Sequence, residues 1–350
     1  MSLFPQLLAK RQKKEKTLKI LVVSMLHTYG DPKREYSYEY FNFYLVLKQI
    51  GHEVELFDYM GEIRDSGKAG MNKKLLERVE KWRPAITIFS LYTDQFQMET
   101  VNALRAYTKT FCFFHDDTWR VEYSRYWARQ FDFFSTPDIN GELKYREIGL
   151  TNAIYFPFGC NEQIFRKMNI PKKYNVSFVG GWHPYREWLI SRIRKAGIAV
   201  EVVGHRWPRG EIHQDGMVRL FNESRINLNL SNSSSWDVRY LLSSPRAFLN
   251  RLRSKKNIDQ MKARIFEING CGAFQLSYYV EGLENCYTIN KEIAVYNDAD
   301  DLIDKIKFYL KHDHLIESIA LAAYKRTSDQ HTFSQRFEAI FQKIGLSDER

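Results

Sequence analysis

The chain has 350 residues, of which 44% are hydrophobic and 27% charged, with a formal net charge of +10. That length suits two domains of ordinary size or one large one, and the composition excludes a disordered chain. No run approaches the roughly 18 apolar residues of a membrane-spanning helix. The opening MSLFPQLLAKRQKKEKTLK puts a short apolar patch before its charges, the reverse of a secretory leader, so a cytoplasmic protein is expected.

In chain order, LKILVVSM (18–25) reads as a buried strand after a polar leader. A polar, aromatic loop follows, and FNFYLVLKQIGHEVELFDY then reads as helix, Gly51 stop and strand. The alternation repeats. A helix over 72–82 leads to PAITIFSLY, one over 96–107 to TFCFFHDD, one over 121–129 to FDFFSTPD, and one over 141–148 to NAIYFPFGC. It pauses at NEQIFRKMNIPKKYN and restarts with VSFVGGW, a helix over 184–196, IAVEVVG, a helix near 219–224 and INLNLS. An irregular basic stretch precedes a helix over 257–269, the strand GAFQLSYY, a strand–turn–helix at KEIAVYNDADDLIDKIKFYL, and terminal helices ending at 333–344.

Such alternation predicts an α/β protein of two doubly wound, Rossmann-like domains facing a cleft. The expected division is a basic tail over 1–17, a first domain over 18–165 and a second over 166–350, with the last helix free to pack back on the first domain. Ligands in such sheets sit at the carboxyl ends of the strands, so the end of TFCFFHDD should line the cleft.

None of the four cysteines, Cys112, Cys160, Cys271 and Cys286, forms a CxxC pair, so buried reduced thiols are expected and metal ligation by cysteine is not. The positive excess is concentrated. Residues 10–19 carry six basic side chains against Glu15, and 239–264 carries eight against Asp259. A solvated face or tail is the plain reading. The alternative for the N-terminal segment is weak contact with an anionic membrane surface. No zinc-finger, RRM or KH signature accompanies the charge, which argues against nucleic acid.

Two segments carry candidate chemistry. SFVGGWHPYRE sets Gly180 and Gly181 after a strand and Arg186 on the first turn of the next helix, an arrangement suited to a phosphate, or else a simple turn. The full GxGxxG pattern is absent. KARIFEINGCGAFQLSYYVEGLE (262–284) places Lys262, Arg264 and Glu267 on a helix that ends in a small-residue turn closed by Gly272. Lys262 and Arg264 can neutralise a diphosphate, and Glu267 can accept two ribose hydroxyls. The alternative is an internal Arg264–Glu267 ion pair.

This segment, with INKEIAVYNDADDLIDKIKFYLKHD and HTFSQRFEAIF, resembles the C-terminal domain of the CgeB-type (spore-maturation-protein-like) glycosyltransferases over roughly 174–340. The first domain matches them in architecture alone. The resemblance implies a GT-B enzyme that binds a nucleotide-diphosphate sugar on its second domain and an acceptor on its first, with no cofactor and no metal. It implies a donor set of Gly180, Gly181, Arg186, Lys262, Arg264, Glu267 and Gly272, with Glu267 on the ribose. Gly181 stands where related enzymes carry a phosphate-binding arginine. Asp259 stands at the first acid of their E-x7-E pattern, and no role is assigned to it.

In retaining GT-B enzymes a histidine at the end of the fourth strand faces the transferred sugar, and His115 holds that place. Asp116 or Asp117 is then the base for the acceptor hydroxyl, with the other capping the next helix. His27 and Tyr29, after the first strand, are secondary acceptor contacts. The expected function is transfer of a sugar to a glycan, lipid or protein hydroxyl, in the cytoplasm or at the inner membrane face. The alternatives are a non-catalytic nucleotide- or sugar-binding protein on the same scaffold, and a basic surface- or nucleic-acid-binding protein.

Overall fold

The computed structural model describes residues 17–233, 235–256 and 258–347. The basic tail, and the membrane contact expected of it, fall on residues outside these, apart from Thr17. Among the described residues eleven strands form two all-parallel sheets. The first holds β1 (Lys19–Ser24), β2 (Glu53–Asp58), β3 (Ile86–Ser90), β4 (Lys109–Phe113), β5 (Phe133–Thr136) and β6 (Ala153–Tyr155), in the order β2-β1-β3-β4-β5-β6. The second holds β7 (Tyr174–Val179), β8 (Glu201–Val203), β9 (Ser224–Asn229), β10 (Gln275–Tyr278) and β11 (Ala294–Tyr296), in the order β11-β10-β9-β7-β8. The boundary expected at 165 falls between the last strand of one sheet and the first of the other.

Each central strand is apolar on both faces because helices cover both. In β1, Ile20 and Val22 enter one core and Leu21 and Val23 the other, as the two-residue strand period requires. β4 does the same, with Phe111 and Phe113 on one side and Cys112 and Phe114 on the other. The face holding Phe111 and Phe113 is not closed by the first domain alone. Its core runs through the final helix, Phe333–Lys343, into the second sheet. Phe337 packs edge-on against Phe43 at 5.4 Å, Phe341 lies 5.4 Å from His52, and Lys343 pairs with Glu142 at 2.6 Å. Thr332 and Gln335 start this helix with a reciprocal cap, and Thr332 is bridged to Cys160 of the interdomain segment. The chain thus crosses to the second domain, builds it, and returns to the first.

Two stretches differ from expectation. The helix expected over 257–269 begins only at Ala263 and runs to Gly270, with Lys262 at its N-cap in extended conformation. The basic stretch expected to be irregular instead holds the helices Val238–Leu241 and Pro245–Arg253. The second starts at a Ser-Pro pair, with the Ser244 hydroxyl accepting from the Ala247 N–H at 3.1 Å and Pro245 needing no N–H partner. All four cysteines are buried and unpaired by disulfides. Among the described residues no helix is long and apolar enough to cross a membrane.

Replacing Phe337 with alanine should remove the seam between the final helix and the first sheet. A fully buried Phe→Ala change costs about 3–5 kcal/mol. Urea denaturation should show that loss, whereas a loss under about 1 kcal/mol would mean the returning helix is an ornament.

Candidate active site

A cavity of about 370 Å³ opens between the two sheets, at the carboxyl ends of β4, β7 and β9. Its walls bring together His115 and Asp116 from the first domain with Gly180, Arg186, Lys262, Arg264 and Glu267 from the second. Tyr38, Phe158, Phe178 and Asn229 also line it, and nothing local in the sequence marks them.

His115 continues the face of Phe111 and Phe113, and its ring lies edge-on to Phe113 at 4.7 Å. Its Nε2 meets Glu39 Oε1 at 2.8 Å and Ser90 Oγ at 3.1 Å, and Ser90 donates to the same Glu39 oxygen at 2.6 Å. Burial alone would raise the Glu39 carboxyl. The His115 hydrogen bond and charge, together with Ser90, outweigh it and hold the group below its ordinary value. An ionised Glu39 takes the hydrogen bond of Nε2 and leaves Nδ1 as the ring nitrogen open to a ligand. Nδ1 takes no hydrogen bond among the described residues, and the side chain is 28% exposed, so a ligand hydroxyl can reach it. The His115 carbonyl is already taken, accepting from Gln260 Nε2 at 2.7 Å.

Asp116 is tied across the cleft. Its Oδ1 meets Lys262 Nζ at 2.7 Å and Gln260 Nε2 at 3.2 Å. Burial pushes this carboxyl up, but the Lys262 charge and hydrogen bond bring it down to about 2. Burial lowers Lys262 in turn, against the pull of Asp116. Asp116 is thus engaged by Lys262 and Gln260, and to serve as the acceptor base it would have to leave them.

Arg186 is a second half-buried cation. Its Nε and Nη2 donate to the Leu230 carbonyl at 3.0 and 2.7 Å, and Nη1 donates to the Gly181 carbonyl at 2.9 Å. A longer Nε bond reaches Ser231 O at 3.1 Å, and the guanidinium lies over the Phe178 ring. Burial lowers it to about 10. No carboxylate pairs with it among the described residues. An arginine held on carbonyls alone keeps its full charge facing the cavity.

Arg264 Nη1 and Glu267 Oε2 form an ion pair at 2.6 Å, so the internal pairing offered as the alternative is present. Glu267 nevertheless lines the cavity, and burial raises its carboxyl despite Arg264. Tyr38 hangs over the same space. Its hydroxyl is buried with no partner, and burial plus the charges of Glu267 and Glu39 push its pKa well up.

Other expected site residues lie elsewhere. Asp117 is 3% exposed and points away from the cavity. Its Oδ1 accepts from the Tyr145 hydroxyl, and burial raises its carboxyl against the bonds of Tyr145, Thr136 and Ser124. Neither aspartate caps the next helix, Val121–Ala128, whose N-cap is Arg120. Gly272 sits at the opposite end of its helix, at φ +62°, where a Cβ would meet the Lys167 side chain. It closes the helix and does not face a donor. Gly181 contributes its carbonyl to Arg186, and the N–H groups on either side of it are spent on β8 and its loop, Gly180 on Val203 and Trp182 on His205. The backbone cradle for an anion is therefore smaller than the Gly-Gly pair implied. His27 and Tyr29 belong to a separate rim. His27 stacks on Tyr36 and bonds the Arg34 carbonyl, and Tyr29 lies under Arg34, which pairs with Glu211 of the second domain.

Comparison with solved structures defines the fold class. Sucrose-phosphate synthase from Thermosynechococcus elongatus superposes with a TM-score of 0.61 at 11% identity, covering 94% of this chain and 99% of that one. Anabaena HepE, solved in complex with UDP-glucose, gives 0.60 at 10% identity over 94% and 99%. The chain therefore has the two-domain GT-B fold. Residues 186–342 match the family model described as glycosyl transferase-like. The spore protein CgeB of Bacillus subtilis is 26% identical over 222 residues, 58% of this chain and 65% of that protein, so the match spans less than two thirds of its length. These likenesses place residues 186–342 beside glycosyl transferase-like proteins and part of the chain beside CgeB.

Asp117→Ala should leave the Tyr145 hydroxyl and its neighbours without their acceptor, costing about 1–3 kcal/mol of stability. Nucleotide affinity of the folded protein should stay unchanged. A thermal melt beside titration calorimetry checks this, and a loss of affinity with no loss of stability would return Asp117 to the site.

Proposed function

We propose that the chain is a glycosyltransferase that moves a sugar from a nucleotide-diphosphate donor to a hydroxyl acceptor. The observation that carries this reading is the half-buried, carboxylate-free Arg186 beside Lys262 in a cavity shared by two facing domains. A diphosphate in that cavity would meet Arg186 directly and would compete with Asp116 for Lys262. Glu267 and the unpartnered Tyr38 hydroxyl offer an acceptor and a donor to ribose. Across the cleft, the Nδ1 of His115 offers an acceptor to a sugar hydroxyl, held in position by Glu39.

The leaving diphosphate needs charge stabilisation as the sugar–oxygen bond breaks. Arg186, Lys262 and Arg264 are the groups this chain supplies for it, so transfer without a divalent cation is part of the proposal. The acceptor side is assigned to the first domain by analogy with the fold. The four buried, unpaired cysteines suit a cytoplasmic reaction.

The test is a screen of UDP-, GDP-, dTDP- and ADP-sugars for hydrolysis in excess chelator, with calorimetry of the matching nucleoside diphosphates. One nucleotide should bind and its sugar should be slowly hydrolysed. Binding without hydrolysis or transfer would favour the non-catalytic reading, and no binding of any nucleotide would sink both.

His115→Ala separates the two halves of the site. It should leave nucleoside-diphosphate affinity within about threefold, because the charged groups offered to the nucleotide, Arg186, Lys262, Arg264 and Glu267, all come from the second domain. Turnover should fall about a hundredfold or more, since His115 can act only on the sugar. Equal losses of affinity and turnover would mean that His115 faces the nucleotide.

A further inference from the structure

The connection from β9 to the helix Ala263–Gly270 runs over 230–262, whereas β7 reaches its helix over 180–183 and β11 over 297–298. A connection of that length with its own helices is an insertion that function must explain. Its helix Pro245–Arg253 is built the wrong way round for a globular protein. Amphipathic helices normally turn their apolar stripe to the core. This one buries Ala247 and Arg251, while Phe248, Leu249 and Leu252, neighbours on one face, point to solvent.

The exposed apolar surface extends along the insertion. Trp236 is 67% exposed, Val238 63%, Leu242 80% and Leu252 62%. Arg246 and Arg253 flank the apolar face of the helix, and Lys255 follows it, all three exposed. Over 236–258 the sequence has six basic residues and one acid, Asp237; Arg239 is spent on Asp237 and Asp300 and Arg251 is buried, which leaves Arg246, Arg253 and Lys255 as the exposed cations.

We propose that this insertion is a docking surface for an anionic lipid bilayer. An exposed Phe/Leu face bordered by arginine and lysine matches an interfacial helix, with the rings and aliphatic chains entering the acyl boundary and the cations meeting headgroup phosphates. The charge decides against a second copy of the chain. A two-fold contact would set this positive surface against itself. The insertion runs directly into Gln260 and Lys262, so docking would hold the mouth of the interdomain cavity close to the lipid surface. This surface is distinct from the N-terminal basic tail.

The test is co-sedimentation of the full chain with vesicles of equal parts phosphatidylglycerol and phosphatidylcholine, and with phosphatidylcholine alone. Wild type should pellet with the anionic vesicles at low salt, release at high salt, and ignore the neutral ones. In Phe248→Ser/Leu252→Ser the lipid concentration for half-binding should rise about tenfold or more. The double variant should melt as wild type does, because both side chains are exposed. Equal binding by wild type and variant would assign the lipid contact to the N-terminal tail and overturn the proposal. Absence of binding to anionic vesicles, or equal binding to neutral ones, would overturn it too. So would a concentration-dependent dimer in sedimentation velocity that the double variant abolishes.

Discussion

A half-buried guanidinium with no carboxylate partner is the constraint around which the second domain's ligand edge is arranged. Arg186 has to find acceptors where it sits, and it finds them in the carbonyls of Gly181, Leu230 and Ser231. Those bonds join the turn after β7 to the end of β9, the two strands on either side of the cavity floor. They satisfy the hydrogen-bonding needs of the arginine but leave its charge uncancelled. Gly180 is held from the other side, its N–H on Val203 and its carbonyl on Trp207 Nε1 at 2.9 Å. The result is a rigid positive wall.

The opposite wall is rigid for a different reason. His115, Ser90 and Glu39 come from three separate segments and share hydrogen bonds beneath a shell of Tyr38, Phe43, Phe113 and Phe158. The final helix closes that shell, so the orientation of His115 depends on residues from the far end of the chain. Between the two walls the Asp116–Lys262 pair and Gln260 form a removable contact. They bridge the two domains with groups that an anionic ligand would compete for.

The strands were legible in the sequence because a parallel sheet buried on both faces leaves uninterrupted apolar runs, as in KILVVS and TFCFF. The cationic half of the cavity was legible because Lys262, Arg264 and Glu267 lie within one short segment. Glu39 was not, since nothing local marks a residue whose partner is 76 positions away. The choice between Asp116 and Asp117 was not legible either. Beyond His115 the chain turns, and alternation no longer says which way a side chain points. The helix Pro245–Arg253 escaped because its apolar face looks outward, so no core-facing stripe announced it, although Ser-Pro marked its start.

The central claim is that the interdomain cavity holds a nucleoside diphosphate against Arg186 and Lys262. A crystal structure of the chain with the nucleotide selected by screening tests it most directly. The account predicts the diphosphate beside both cations, the Asp116–Lys262 pair opened and the ribose near Glu267. A nucleotide bound outside this cavity, or one inside it that leaves Arg186 and Lys262 with their present partners, would contradict it.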